Sequence, residues 1–261
     1  MDLGICGRKA LLMGASRGMG KACALALACE GVHVTIVARK RETLEEAAAD
    51  IHQQAGSAIT VTPVVGDMTS AQGRAAALAA CPAPDILLNN ADAPLPGDFR
   101  DWTREQWIAA LDALMLGPIE MIRATVDGMM ARRFGRIVNI SSRSVKIAQP
   151  ELGMSNGARS GLVGFVAGLA RQTVAHNVTI NNLLPGIFDS GGQRRHIEGM
   201  LHDGGKSFDE IWRERAAGNP AKRYGRPEEL GAYFAFLCSA HAGFITGQNL
   251  LVDGGSYPGT Y

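Results

Sequence analysis

The chain has 261 residues, 46 % of them hydrophobic and 20 % charged, with a formal net charge of +1. That length and mixture suit one α/β domain with a large core, and the near-neutral charge argues against a polyanion such as nucleic acid as partner. No apolar run approaches the ~20 residues of a membrane span.

The five cysteines, Cys6, Cys23, Cys29, Cys81 and Cys238, have neither CxxC nor zinc-ligand spacing. They are expected to be reduced, buried small hydrophobes. A glycine-rich loop so near the N-terminus leaves no signal-peptide layout, so a cytoplasmic location is the expectation.

In chain order, apolar runs of strand length stand at 10–13, 32–37, 59–65, 86–88, 137–140, 178–184 and 250–252. Segments with helical periodicity lie between them, at 21–29, 43–54, 105–131, 161–173 and 228–239. Strands alternating with helices predict βαβ units, hence a single Rossmann-like domain with a doubly wound parallel sheet of about seven strands. Continuously apolar strands fit a sheet covered by helices on both faces. Residues 189–223 break the rhythm. They are polar, contain Gly191-Gly192 and Gly204-Gly205, and predict one short helix around 208–217. An insertion after a strand's C-terminal end is where such a fold carries a lid over a substrate.

Gly14-Ala15-Ser16-Arg17-Gly18-Met19-Gly20 follows the first strand and opens the first long helix. Glycines there permit a tight turn and close approach of a phosphate, and the helix N-terminus offers free N–H groups and a positive dipole end. The GxxxGxG spacing differs from the GxGxxG dinucleotide fingerprint. The second strand ends in Ala38-Arg39-Lys40. NAD sites usually place a carboxylate here, whereas an arginine suits a 2′-phosphate. Arg39, with Arg17 as a second cation, therefore favours NADP(H) over NAD.

The full set of segments resembles the short-chain dehydrogenase/reductase family. Gly14–Gly20 is similar to its TGxxxGxG loop, with Met13 in place of Thr. Asp67, followed by Met68, stands where the family's Asp holds the adenine ring. Asn89-Asn90-Ala91-Asp92 resembles the NNAG motif, with Asp92 replacing its glycine. The run 135–142 resembles the strand that ends in the catalytic serine, here Ser142. Pro185-Gly186-Ile187-Phe188-Asp189-Ser190 resembles the PGxxxT segment that meets the nicotinamide carboxamide, and the runs 225–229 and 247–255 resemble the closing segments. The resemblance implies a nicotinamide cofactor and a small-molecule substrate.

It also implies a tetrad of Asn, Ser, Tyr and Lys, and here the chain departs. The family's Tyr-x-x-x-Lys falls on Ser155-Asn156-Gly157-Ala158-Arg159, in a register supported by the flank 160–165, and the helix asparagine falls on Leu114. Carbonyl reduction needs a proton on oxygen, and the family's lysine tunes the tyrosine phenol for that task. An aliphatic hydroxyl is a far weaker acid, and arginine stays protonated, although it can clamp a ribose or an anion. Loss of one oxyanion-type donor can raise a barrier by about 2.7–4 kcal/mol.

Three readings follow. One is an oxidoreductase on a carbonyl/alcohol or related C=N or C=C substrate with an altered proton donor: Ser142, Ser155, Arg159 and Lys146 are its candidate catalytic residues, and Arg143 and Arg159 can bind an anionic substrate. Another is a non-redox lyase or hydrolase. Halohydrin dehalogenases resemble the family and carry this arginine, but they keep the tyrosine and replace the nucleotide loop. The third is a catalytically silent NADP(H)-binding homologue.

Lesser signals have plainer explanations. Tyr224, Tyr233, Tyr257 and Tyr261 are expected to be surface or packing residues, although the tail bearing Tyr257 and Tyr261 can reach a neighbour's site in family oligomers. His196 and His202, with Glu198 and Asp203, lack the i, i+4 spacing of a helical metal pair, so no metal is expected. Trp102 and Trp107 read as core or interface. Gly157, Gly161, Gly164 and Gly168 lie along one predicted helix. The corresponding family helix pairs with a second subunit, so a homodimer or homotetramer is expected.

Overall fold

The computed structural model describes residues 1–201 and 205–260. Seven parallel strands form one sheet in the order β3-β2-β1-β4-β5-β6-β7. They are β1 (Lys9–Met13), β2 (His33–Ala38), β3 (Val61–Val65), β4 (Ile86–Asn89), β5 (Gly135–Ile140), β6 (Val178–Pro185) and β7 (Asn249–Val252). Helices α1 (Gly18–Cys29), α2 (Arg41–Ala55) and α9 (Pro227–Cys238) cover one face. Helices α3 (Ala71–Ala80), α5 (Gly117–Ala131) and α6 (Gly153–Thr173) cover the other.

Successive strand residues point to opposite faces. Leu12 and Ile36 accordingly join the core with Leu27, Leu230 and Phe234, while Leu11 and Ile137 join the opposite core with Met121 and Val166. Strand order reverses between β1 and β4, and the crevice at the carboxyl ends of these strands is the binding position of this architecture.

A file of asparagines crosses that end of the sheet. Asn89 on β4 donates to Asn139 on β5 (2.9 Å), Asn139 donates to Asn182 on β6 (2.9 Å), and Asn182 donates to Asn249 on β7 (2.9 Å). Each pair is directly opposite in register. A one-residue slip would break all three bonds and bury unpaired amides, so the file fixes register beside the crevice.

Several elements differ from the sequence expectation. Helix α3 was not foreseen, because its alanine-rich run buries only Gly73 and Ala77 and shows no apolar stripe; Ser70 caps it by accepting from the Gly73 N–H (3.0 Å). The expected helix 105–131 is instead α4 (Arg104–Leu111) and α5, joined by a π-helical turn at Asp112–Leu116 that buries Leu114. Helix α6 starts at Gly153, well before 161.

The glycine stripe on α6 divides. A Cβ on Gly161 would meet Met115 Sδ at 2.4 Å and one on Gly157 would meet Trp107 at 3.5 Å, whereas Gly164 and Gly168 face open space. Trp102 and Trp107 form an edge-to-face pair (5.8 Å, 79°) against this end of α6. Of the cysteines, Cys23, Cys81 and Cys238 are buried, but Cys6 and Cys29 are exposed, so the expectation of five buried thiols fails for two.

Among its described residues the insertion holds two helices rather than one, α7 (Gly191–Glu198) and α8 (Phe208–Gly218). Phe208, Trp212 and Tyr224 stack at 5.7 and 3.9 Å, and Arg194 of α7 covers the Trp212 ring at 4.6 Å. These contacts tie α7 to α8. Among the described residues, no helix is long and apolar enough to cross a membrane.

Candidate active site

A cleft of about 590 Å³ opens at the carboxyl ends of the strands. Its floor at one end is the β1–α1 turn. Gly14 has φ +64°, and a Cβ there would lie 2.4 Å from the Asn90 carbonyl; a Cβ on Gly20 would lie 2.2 Å from the Gly14 carbonyl. Asn90 Nδ2 donates to that same Gly14 oxygen (2.8 Å). Only glycine fits at these two positions, so the chain turns tightly into α1. Arg17 is the N-cap of α1 and its side chain caps nothing, so the first N–H groups of the helix remain available to an anion.

Arg39 lines the cleft at the end of β2. Its Nη2 lies 2.9 Å from Asp92, and Arg195 of α7 reaches the other oxygen of the same carboxylate at 2.6 Å. Asp67 uses one carboxylate oxygen to accept from the Thr69 N–H (2.9 Å) and hydroxyl (2.8 Å), which holds Asp67 and Met68 at the cleft wall.

At the other end, Ser142 Oγ accepts from the Ser144 N–H (3.1 Å). Ser155 and Arg159 lie one turn apart on α6, both buried, and Arg159 Nε donates to Ser155 Oγ (3.1 Å). Arg159 Nη1 also donates to the Ile140 carbonyl (2.8 Å). Each serine oxygen thus accepts from a protein donor and keeps its hydroxyl proton to give. Burial lowers the Arg159 pKa to about 10, which leaves the guanidinium charged at neutral pH.

The cleft brings together Gly14, Ser16, Arg17, Gly18, Met19, Arg39, Asp67, Met68, Asn90, Pro185, Gly186, Ser190, Ser142, Ser155 and Arg159. Two residues expected at the site stand outside its lining. Gly20 packs beneath Gly14, and Lys146 extends over the Tyr257 ring at 5.3 Å. His202, Asp203 and Tyr261 fall outside the described residues.

The enoyl-(acyl carrier protein) reductase family model matches residues 14–257. NADPH-dependent reductase BacG of Bacillus subtilis (strain 168) is 31 % identical over 253 residues, covering 95 % of this chain and 97 % of that one. Human dehydrogenase/reductase SDR family member 4 is 30 % identical over 257 residues, covering 97 % and 88 %. The chain belongs to the short-chain dehydrogenase/reductase family. A solved structure, L-sorbose reductase from Gluconobacter frateurii complexed with NADPH and L-sorbose, superposes with a TM-score of 0.91 at 28 % identity, covering 99 % of this chain and 100 % of that one.

This short-chain dehydrogenase/reductase presents a donor set that fits a dinucleotide phosphate. The glycine turn leaves room for phosphate against backbone, the α1 N-terminus lacks a capping side chain, and Arg39 supplies a cation at the end of β2. The sequence did not single out Gln193, Arg195 and Arg215 as part of the cleft, and it assigned no role to Asp92. The arginines of an otherwise irregular insertion were the available signal, but only the docking of α7 and α8 over the strand ends shows that Arg195 and Arg215 turn inward.

Proposed function

We propose that the chain is an NADP(H)-dependent oxidoreductase of a carbonyl/alcohol or related C=N or C=C substrate, working with a depleted tetrad. The bond from Arg159 to Ser155 carries this reading. Ser155 and Arg159 occupy the places of the family's tyrosine and lysine, and Leu114 that of its asparagine. NADPH, when bound, supplies the hydride. Ser142 and Ser155 donate hydrogen bonds to the reacting heteroatom, and the adjacent guanidinium strengthens the Ser155 donor. Neither hydroxyl is acidic enough to give up its proton at neutral pH, so solvent or substrate supplies it. Substrates that need little acid assistance, such as activated carbonyls, imines and conjugated alkenes, are favoured over simple ketones.

Residues 189–223 act as the lid in this reading, since Gln193, Arg195, His196 and Arg215 line the cleft. A homodimer or homotetramer through α4, α5 and α6 fits the exposed Ile108, Leu116 and Phe165 beside the bare Gly164 and Gly168.

The test is NADPH oxidation over a panel of carbonyl, imine and enone substrates, with Ser142→Ala and the Ser155→Tyr/Arg159→Lys double variant alongside. Turnover that falls in Ser142→Ala supports the reading. A silent wild type beside an active double variant would instead favour a binding role, the alternative that buried, apolar Leu114 supports.

A further inference from the structure

The substrate end of the cleft holds more positive charge than the protein itself neutralises. Arg143 follows β5, Arg159 lies on α6 and Arg215 on α8, and all three line the cleft. Among the described residues none of the three forms an ion pair, although ten other arginines do.

Their neighbours are neutral or distant. Arg143 reaches the Ser256 hydroxyl. Arg215 contacts Met200 Sδ (3.8 Å) and the Tyr224 hydroxyl, and it feels Glu151 and Arg143 without pairing with either. Two donors there are completely buried with no acceptor, Arg215 Nε and Gln193 Nε2. A buried donor without an acceptor is a standing deficit that native folds avoid unless another molecule fills it. His196 completes the wall, and burial together with Arg215 keeps its imidazole neutral more readily than usual.

We infer that Arg215, Arg143 and Gln193 form a subsite for an anionic group, a carboxylate or a phosphate monoester, carried by the substrate whose reacting atom meets Ser142 and Ser155. The inference rests on the oxidoreductase reading for the identity of that reacting atom, but not for the anion site itself. Guanidinium forks match both anions bidentately, and the two orphaned donors would gain acceptors if their side chains turn toward the bound anion. The unpaired cations also hold the pocket against neutral ketones of the same shape, which would leave those charges without a counter-ion.

Calorimetric binding to the NADP⁺-loaded full chain tests this without requiring turnover. The probes are 4-oxopentanoate against its methyl ester, and dihydroxyacetone phosphate against dihydroxyacetone. At least one anion should bind about tenfold or more tightly than its neutral twin, a single charge-assisted contact's effect. The preferred anion assigns the chemical class.

Arg215→Met and Arg143→Met should each collapse that margin, and Arg215→Lys should restore part of it, with NADPH affinity retained as the check on folding. Arg143 is the safer variant, since it lies in a short turn rather than under α8. Equal binding of anions and neutral twins overturns the inference, as does a margin that survives both methionine variants. Anion preference with no NADPH oxidation across the carbonyl, imine and enone panel would leave the subsite standing and remove the redox reading, while oxidation without anion preference would do the reverse.

Discussion

Asp92 Oδ2 lies 2.9 Å from Arg39 Nη2, at the position where the family's motif has a glycine. The cation suited to a 2′-phosphate is therefore already partnered by a carboxylate, and Arg195 of the lid shares that carboxylate. A phosphate approaching Arg39 must compete with Asp92 and meets its negative charge. The pair is half exposed, so the penalty is small. Asp92→Gly should tighten NADPH binding by up to about fivefold, corresponding to ~1 kcal/mol for an exposed ion pair. Arg39→Ala should weaken NADPH more than NADH. Fluorescence titration of both cofactors decides it, and unchanged NADPH affinity in Asp92→Gly would sink the competition argument.

Lys146 and Ser142 are four residues apart in sequence, yet only Ser142 lines the cleft. Lys146→Ala should keep at least half the wild-type kcat. Ser142→Ala should lose about 100-fold or more, as expected for removal of one oxyanion-type donor. Steady-state NADPH oxidation separates the two. A loss in Lys146→Ala comparable to that in Ser142→Ala would return the lysine to the site.

The asparagine file predicts a stability effect. Asn139→Leu would strand Asn89 Nδ2 and Asn182 Oδ1, both buried. Two orphaned polar groups amount to on the order of 3 kcal/mol, or roughly 10 °C in Tm for a domain of this size. Thermal unfolding followed by circular dichroism measures it, and a shift under a few degrees would mean that the amides find other partners.

Much of the fold was legible because its signals are local. Strand-length apolar runs and the glycines of the first turn specify the parallel sheet and the tight entry to α1 without knowledge of distant contacts. The sequence placed Ser155 and Arg159 by their flanks alone, and the structure sets both in the cleft with Ser142. Partnership was not legible. Nothing near Asp92 announces that Arg39 and Arg195 converge on it from 53 residues before and 103 residues after. Lys146 was attractive by proximity to Ser142, but the short 3₁₀ turn Arg143–Val145 carries it away from the cleft to Tyr257. Helix α3 escaped because alanine gives helical propensity without an apolar stripe.

Acid should loosen the helix that supports the nucleotide turn. Glu229, in the first turn of α9, accepts two bonds from Arg223 (2.8 Å each) and one from the Arg226 N–H (2.8 Å). Arg223 first, then the Arg226 N–H, pull its pKa from 4.5 down to about 2. The folded chain thus holds the charged carboxylate more firmly than the unfolded chain does. Its stabilising contribution is complete above pH 4.5 and disappears as pH falls through about 2.

Helix α9 packs closely on α1, where a Cβ on Gly231 would lie 2.6 Å from the Ala22 carbonyl, so the loss reaches the helix that carries the phosphate turn. Glu229→Gln should be less stable than wild type at neutral pH and should show a flatter dependence of the urea midpoint on pH between 4.5 and about 2. Parallel slopes for the two proteins in that window would show that the Arg223 pair does not survive in solution.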